Sequence, residues 1–209
     1  ADDLAAALRV RGVASLALSG GRTPLPLFQA LSQIDLDWQK VWITLVDDRW
    51  VPLEHKDSNE ALLRANLLQN KAQNAQFIGL YNGAATPMEG LVSALQAVAA
   101  IPQPFDVMVL GMGDDGHTAS WFPESPQLAQ AVAADAPLLA ATDPVTAPHL
   151  RMTFTLPVVQ AANRLVLHIS GEGKWQIYQN ALAGQNPAEM PIRYALQQQG
   201  APVDVYWSK

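Results

Sequence analysis

Seven consecutive residues, Gly111-Met112-Gly113-Asp114-Asp115-Gly116-His117, place the ingredients of a proton-transfer site in a single turn. They follow an apolar run, Val107-Met108-Val109-Leu110, and the glycines permit a tight exit from it. Histidine is the side chain best poised to move a proton near neutral pH. A carboxylate two residues earlier can accept its Nδ1–H and hold the ring as a base. Asp115 has that spacing, with Asp114 as the alternative. His117 also falls where a short helix is expected to start, and helix-start charge favours the neutral, proton-accepting ring. The competing reading is a structural turn with a half-buried histidine.

Two further clusters could hold an anion. Ser19-Gly20-Gly21-Arg22-Thr23-Pro24 joins a strand pattern to a helix pattern through paired glycines, which expose successive N–H groups to a phosphate or carboxylate. The segment is neither a P-loop nor a GxGxxG fingerprint. Asp47-Asp48-Arg49 gathers two carboxylates and a guanidinium; strand alternation would put Asp47 and Arg49 on one side and Asp48 on the other. Arg151 leads another strand pattern, and Lys174 follows Gly171-Glu172-Gly173 on a second glycine-rich turn. Taken singly, each of these cations reads as a surface charge. His55 and His149 read as solvated loop residues, and His168 as a core histidine with a satisfied hydrogen bond.

The elements that must position these groups are legible as alternating patterns. Short apolar runs predict strands over 14–18, 41–46, 76–80, 106–110, 138–141, 151–155, 165–169 and 203–206. Helical periodicity predicts helices over 23–31, 59–68, 88–99, 174–182 and 192–198, with Ser58 capping the second. Strands alternating with helices imply an α/β fold: a mostly parallel sheet with helices on both faces. Such sheets bind ligands beyond the carboxyl ends of their strands. The Ser19, Asp47 and Gly113 clusters all sit at such ends and converge on one edge.

Bulk properties narrow the function. The 209 residues are 49% hydrophobic and 15% charged, enough for a sizeable core, and without internal repeats they read as one domain, 1–209. A net charge of −6 with basic residues thinly spread predicts neither a nucleic-acid nor a membrane partner. A small anionic substrate remains compatible, since a pocket needs only local cations. Cysteine is absent, and the four histidines lack paired ligand spacing such as HExxH, so no metal is expected. No run reaches the length of a membrane span and no secretory signal opens the chain, which makes the cytoplasm the expected address. The chain starts at Ala1 inside a helical pattern, and further residues are expected upstream.

Laid in order, these segments resemble the 6-phosphogluconolactonases of the glucosamine-6-phosphate isomerase/6-phosphogluconolactonase family. The matching stretches are Leu18 through Pro24, Val46 through Pro52 with Ser58-Asn59, Leu110 through Pro123, Arg151-Met152-Thr153, and Gly171 through Lys174. The third is the most specific because it continues as Thr118-Ala119-Ser120-Trp121-Phe122-Pro123. The resemblance implies a Rossmann-like fold shared with glucosamine-6-phosphate deaminases. It also implies hydrolysis of a small sugar-phosphate lactone without cofactor or metal, by a monomer or weak homo-oligomer. On that model Gly20, Gly21, Arg22, Thr23, Arg151 and Lys174 hold the phosphate. His117 activates water with Asp115 as orienter, Arg49 stabilises substrate oxygens, and Asp47 orients ring hydroxyls or Arg49.

Two features depart from the family pattern. Asp47-Asp48-Arg49 stands where Asp-Glu-Arg is usual, which leaves Asp48 without an implied role. The family also carries a longer helix and strand before the first glycine turn, so a truncated form is expected. Two rivals share the fold: a deaminase, which usually has Asn-Glu-Pro where Trp121-Phe122-Pro123-Glu124 stands, and a non-catalytic sugar-phosphate sensor.

Overall fold

A computed structural model describes residues 1–200 and 202–209. Its framework is a six-stranded sheet in the order β4-β2-β1-β5-β8-β9, formed by Gln76–Ile78, Val41–Leu45, Ala14–Leu18, Val107–Leu110, Leu165–Ser170 and Val203–Ser208. Every neighbouring pair is parallel. The inner strands show why. All five residues of β1 and all four of β5 are buried, the continuous apolar pattern of strands covered on both faces. The edge strand β9 instead alternates, with Val203, Val205 and Trp207 half-buried and Asp204, Tyr206 and Ser208 exposed.

The helices are α1 (Asp2–Arg11), α2 (Leu25–Ser32), α3 (Asn59–Asn66), α4 (Pro87–Val98), α5 (Leu128–Ala131), α6 (Leu156–Ala161), α7 (Glu172–Ala183) and α8 (Ile192–Leu196). Ser58 caps α3 as expected, its hydroxyl accepting from the Ala61 amide at 3.1 Å. The short helices α5 and α6 were not legible, being too brief to show a period. None of the described helices is long and apolar enough to cross a membrane. One core cluster runs from Leu4 of α1 to Ala195 of α8. Phe105 and Phe154, both fully buried, meet edge to face at 5.3 Å within it. Burial of each such ring is worth roughly 2–3 kcal/mol.

The expected mostly parallel sheet is present, and a smaller one accompanies it. A second, antiparallel sheet has the order β3-β7-β6, built from Asp47–Arg49, Arg151–Phe154 and Leu139–Thr142. The short, helix-free connection from Thr142 to Arg151 allows antiparallel pairing, whereas a parallel neighbour needs a crossover of about a dozen residues. Val46 joins the sheets: its amide donates to Leu18 of β1, and its carbonyl accepts from Phe154 of β7. Asp47 and Arg49 thereby leave the large sheet for the small one, where Arg49 lies directly opposite Arg151.

Candidate active site

The turn leaving β5 is shaped around His117. Its Nδ1 lies 2.6 Å from Asp115 Oδ1, and the same oxygen accepts the His117 amide at 3.0 Å. Asp115, not Asp114, is therefore the carboxylate that orients the ring. Burial opposes ionisation of Asp115, but the hydrogen bonds and charge of His117 outweigh it and bring the group down to about 2. Gly113 is required by close approach, since a Cβ there would sit 2.1 Å from His117 Nδ1. Phe122 stacks on the imidazole at 4.0 Å between ring centroids. The anticipated helix at His117 does not form. Ala119 takes φ 50°, and the chain turns back through Trp121 N–H donating to Thr118 carbonyl. Asp115, rather than a helix terminus, sets the ring's orientation.

Across the cleft stand groups from the small sheet. Asp47 Oδ2 accepts the Ser120 hydroxyl at 2.6 Å and lies 4.0 Å from Arg151 Nη1. Arg49 donates from Nη1 to the Asp57 carbonyl at 2.7 Å, and Arg151 from Nη2 to the Pro148 carbonyl at 3.1 Å. Arg151 is buried, against its reading as a surface cation, and burial lowers its affinity for its proton while Asp47 supports it. The Nε atoms of Arg49 and Arg151 are buried and have no hydrogen-bond partner. Asp48 faces away, as strand alternation predicted. It accepts the amides of Arg49, Asn59 and Glu60 at 2.8, 2.9 and 3.1 Å, fastening β3 to the start of α3. Burial raises Asp48 to about 7, helped by the charge of Asp47 and opposed by those three N–H donors.

Two joined cavities result. One, of about 130 Å³, is lined by Gly20, Asp47, Arg49, Asn59, His117 and Arg151 among others. The second, of about 200 Å³, is lined by Gly20, Gly21, Arg22, Thr23, His168 and Lys174. They share Ser19, Gly20, Gly111 and Met112. Gly21, at φ 93°, takes a conformation few other residues accept. Lys174 Nζ is held at 2.6 Å by Asp114, and the Thr23 and Ser170 hydroxyls meet at 3.2 Å. Of the six groups expected on the phosphate, five thus share the second cavity or its border. Arg151 lies instead in the His117 cleft. His168 Nδ1 is buried without a partner, which corrects its reading as a satisfied core residue.

A model of the family described as glucosamine-6-phosphate isomerases/6-phosphogluconolactonase matches residues 1–207. The chain belongs to that family. Among family relatives, a 6-phosphogluconolactonase of Rhizobium meliloti is 45% identical, covering 98% of this chain and 89% of its own. One from Neisseria meningitidis is 45% identical over 100% of this chain and 91% of its own. A crystal structure of a 6-phosphogluconolactonase from Shewanella baltica superposes with a TM-score of 0.97 at 48% identity, covering 100% of this chain and 89% of the other. A monomeric glucosamine-6-phosphate deaminase, at 16% identity and a TM-score of 0.78, shares the fold.

Several residues of this family member's site escaped the reading of the sequence for roles. Asn59 donates to the Asp47 carbonyl at 3.3 Å and fills the space a Cβ on Gly20 would need. Ser120, Phe122 and Asp48 position Asp47, His117 and α3. The specific run through Pro123, the Ser58-Asn59 pair and the Asp47-Asp48-Arg49 cluster were the signals for them. No metal-ligating trio lines either cavity among the described residues; the one such trio found is His55, Asp57 and His149, beside the cleft. Those two histidines, expected to be solvated loop residues, are half-buried, and their rings meet 5.1 Å apart.

Proposed function

We propose that this protein hydrolyses 6-phospho-D-glucono-1,5-lactone to 6-phospho-D-gluconate, the lactone step of the oxidative pentose phosphate pathway. The observation that carries the reading is that His117, held by Asp115 at 2.6 Å, lines one cleft with Arg49 and Arg151. Full-length relatives at 45% identity that bear the lactonase name support it.

In this scheme the phosphate rests on the Gly20-Gly21 turn with Arg22, Thr23 and Lys174, and Arg151 adds a cation from the cleft side. The lactone carbonyl lies in the His117 cleft. His117 Nε2 takes a proton from water as its oxygen attacks the carbonyl carbon, while Asp115 holds Nδ1–H and steadies the imidazolium. Arg49 stabilises the developing oxyanion. Asp47 orients substrate hydroxyls and balances Arg151. Collapse breaks the ring C–O bond, the departing ring oxygen takes the proton from His117, and the product is a hydroxy acid. A cyclic ester is reactive enough that no covalent nucleophile is demanded. The enzyme acts in the cytoplasm on a small metabolite, as a monomer or weak homo-oligomer.

Parallel assays of freshly generated 6-phosphogluconolactone hydrolysis and of ammonia release from glucosamine 6-phosphate test the assignment. Lactone loss well above the spontaneous rate is expected, with no ammonia. Ammonia release without lactonase activity would transfer the chain to the deaminase branch.

A further inference from the structure

Beside the cleft, on the loop between β3 and α3, His55 and Asp57 meet His149, which precedes β7. His149 Nε2 lies 3.0 Å from Asp57 Oδ2, and His55 Nδ1 lies 3.8 Å from the same oxygen. One ligand atom from each residue falls within 4.8 Å of the others. Ligand atoms about 2.1 Å from a tetrahedral zinc ion stand roughly 3.4 Å apart, so the observed separations bracket that edge length. All three side chains are half-buried.

The chemistry of the donors also fits. Two imidazoles and one carboxylate form a mixed nitrogen and oxygen set that suits zinc and its first-row neighbours rather than calcium or magnesium. His55 Nδ1 accepts the Asp57 amide at 3.1 Å, so this nitrogen is the unprotonated one and can serve as a ligand once that bond is given up. His149 is set there by a backbone at φ 70°, a conformation uncommon for residues other than glycine.

We infer that His55, Asp57 and His149 form a binding site for a divalent transition-metal ion, zinc being the best match, with a fourth position open to water. The cation replaces the Asp57–His149 hydrogen bond and the Asp57 amide contact to His55. The site is wired to the cleft, because the Asp57 carbonyl accepts Arg49 Nη1 at 2.7 Å. A metal on the Asp57 carboxylate therefore fixes the loop residue that holds a substrate-facing guanidinium. This inference is independent of the lactonase assignment.

The full chain, stripped with a chelator, is titrated with zinc by calorimetry and with cobalt(II) by visible absorption. One equivalent binding with a Kd on the order of micromolar or tighter, and a tetrahedral cobalt spectrum, are expected. At a hundredfold excess over Kd the melting temperature should rise by about 5 °C or more. His149→Ala and Asp57→Asn should each weaken binding about 100-fold or more, while His117→Ala retains it. His55→Gln, checked for folding by circular dichroism, is a third probe of the trio. No binding at 100 µM, on the order of a weak surface interaction, overturns the inference. So does a site lost in His117→Ala but kept in the trio variants, which would leave the cluster a hydrogen-bonded clasp.

Discussion

The two joined cavities are built on opposite plans. In the His117 cleft every reactive group is fixed by another: Asp115 holds the ring, Ser120 holds Asp47, and backbone carbonyls hold both arginines. In the neighbouring cavity Arg22 is exposed, and Lys174 is held by Asp114, whose side chain is 88% exposed. A surface ion pair of that kind is worth at most about 1 kcal/mol, so an arriving phosphate can displace it readily. Rigid groups belong where charge develops during reaction, because donors already in place need no reorganisation at that moment. Groups that grip a charge unchanged by the reaction can tolerate adjustment.

Four substitutions can break or sharpen that contrast. The largest effect is expected from His117→Ala, with kcat falling about 10²–10⁴-fold and product affinity nearly unchanged. Turnover at the parent rate would remove the base assignment. Gly113→Ala comes next, because its new Cβ would force the imidazole off Asp115. Loss of about 100-fold in kcat is expected with little change in binding of 6-phosphogluconate; parallel loss of both would mean the two cavities are not separable. Lys174→Ala should raise KM about tenfold and leave kcat within about twofold. A kcat defect of equal size would show that the flexible cavity also acts in the transition state.

The smallest effect on turnover is expected from Asp48→Asn, whose signature is in stability against pH. Folding raises Asp48 from 3.8 to about 7, so the folded chain holds a proton that the unfolded chain releases between those values. Its contribution to stability therefore declines as pH climbs through that window, and the cost is complete above about 7. Thermal melts at pH values across the window should show a smaller decline in the asparagine variant than in the parent. Identical declines would mean that Asp48 ionises normally in the fold.

The large sheet could be read from the chain because buried parallel strands are written as unbroken apolar runs, as in Val107 to Leu110. The small sheet could be read only in part, since the runs over 138–141 and 151–155 marked two of its strands but nothing marked the third. Asp47-Asp48-Arg49 has no apolar pattern, and its strand character comes from pairing with Arg151 to Thr153, a contact no local window contains. His117 and Asp115 were legible because two residues of spacing suffice for a hydrogen bond. The missing helix after them turned on the backbone of Ala119, which its side chain does not announce. The buried state of Arg151 and the meeting of His55 with His149 are products of tertiary folding between segments remote in sequence.

The seam between the two sheets divides the enzyme's labour. His117 hangs from the large sheet, Arg49 and Arg151 from the small one, and Ser120, Thr153, Trp121 and Phe154 stitch the halves together. Such a layout favours evolutionary tinkering. The small sheet and its loops can be redrawn to accept another sugar acid while the turn that carries the proposed base is inherited intact.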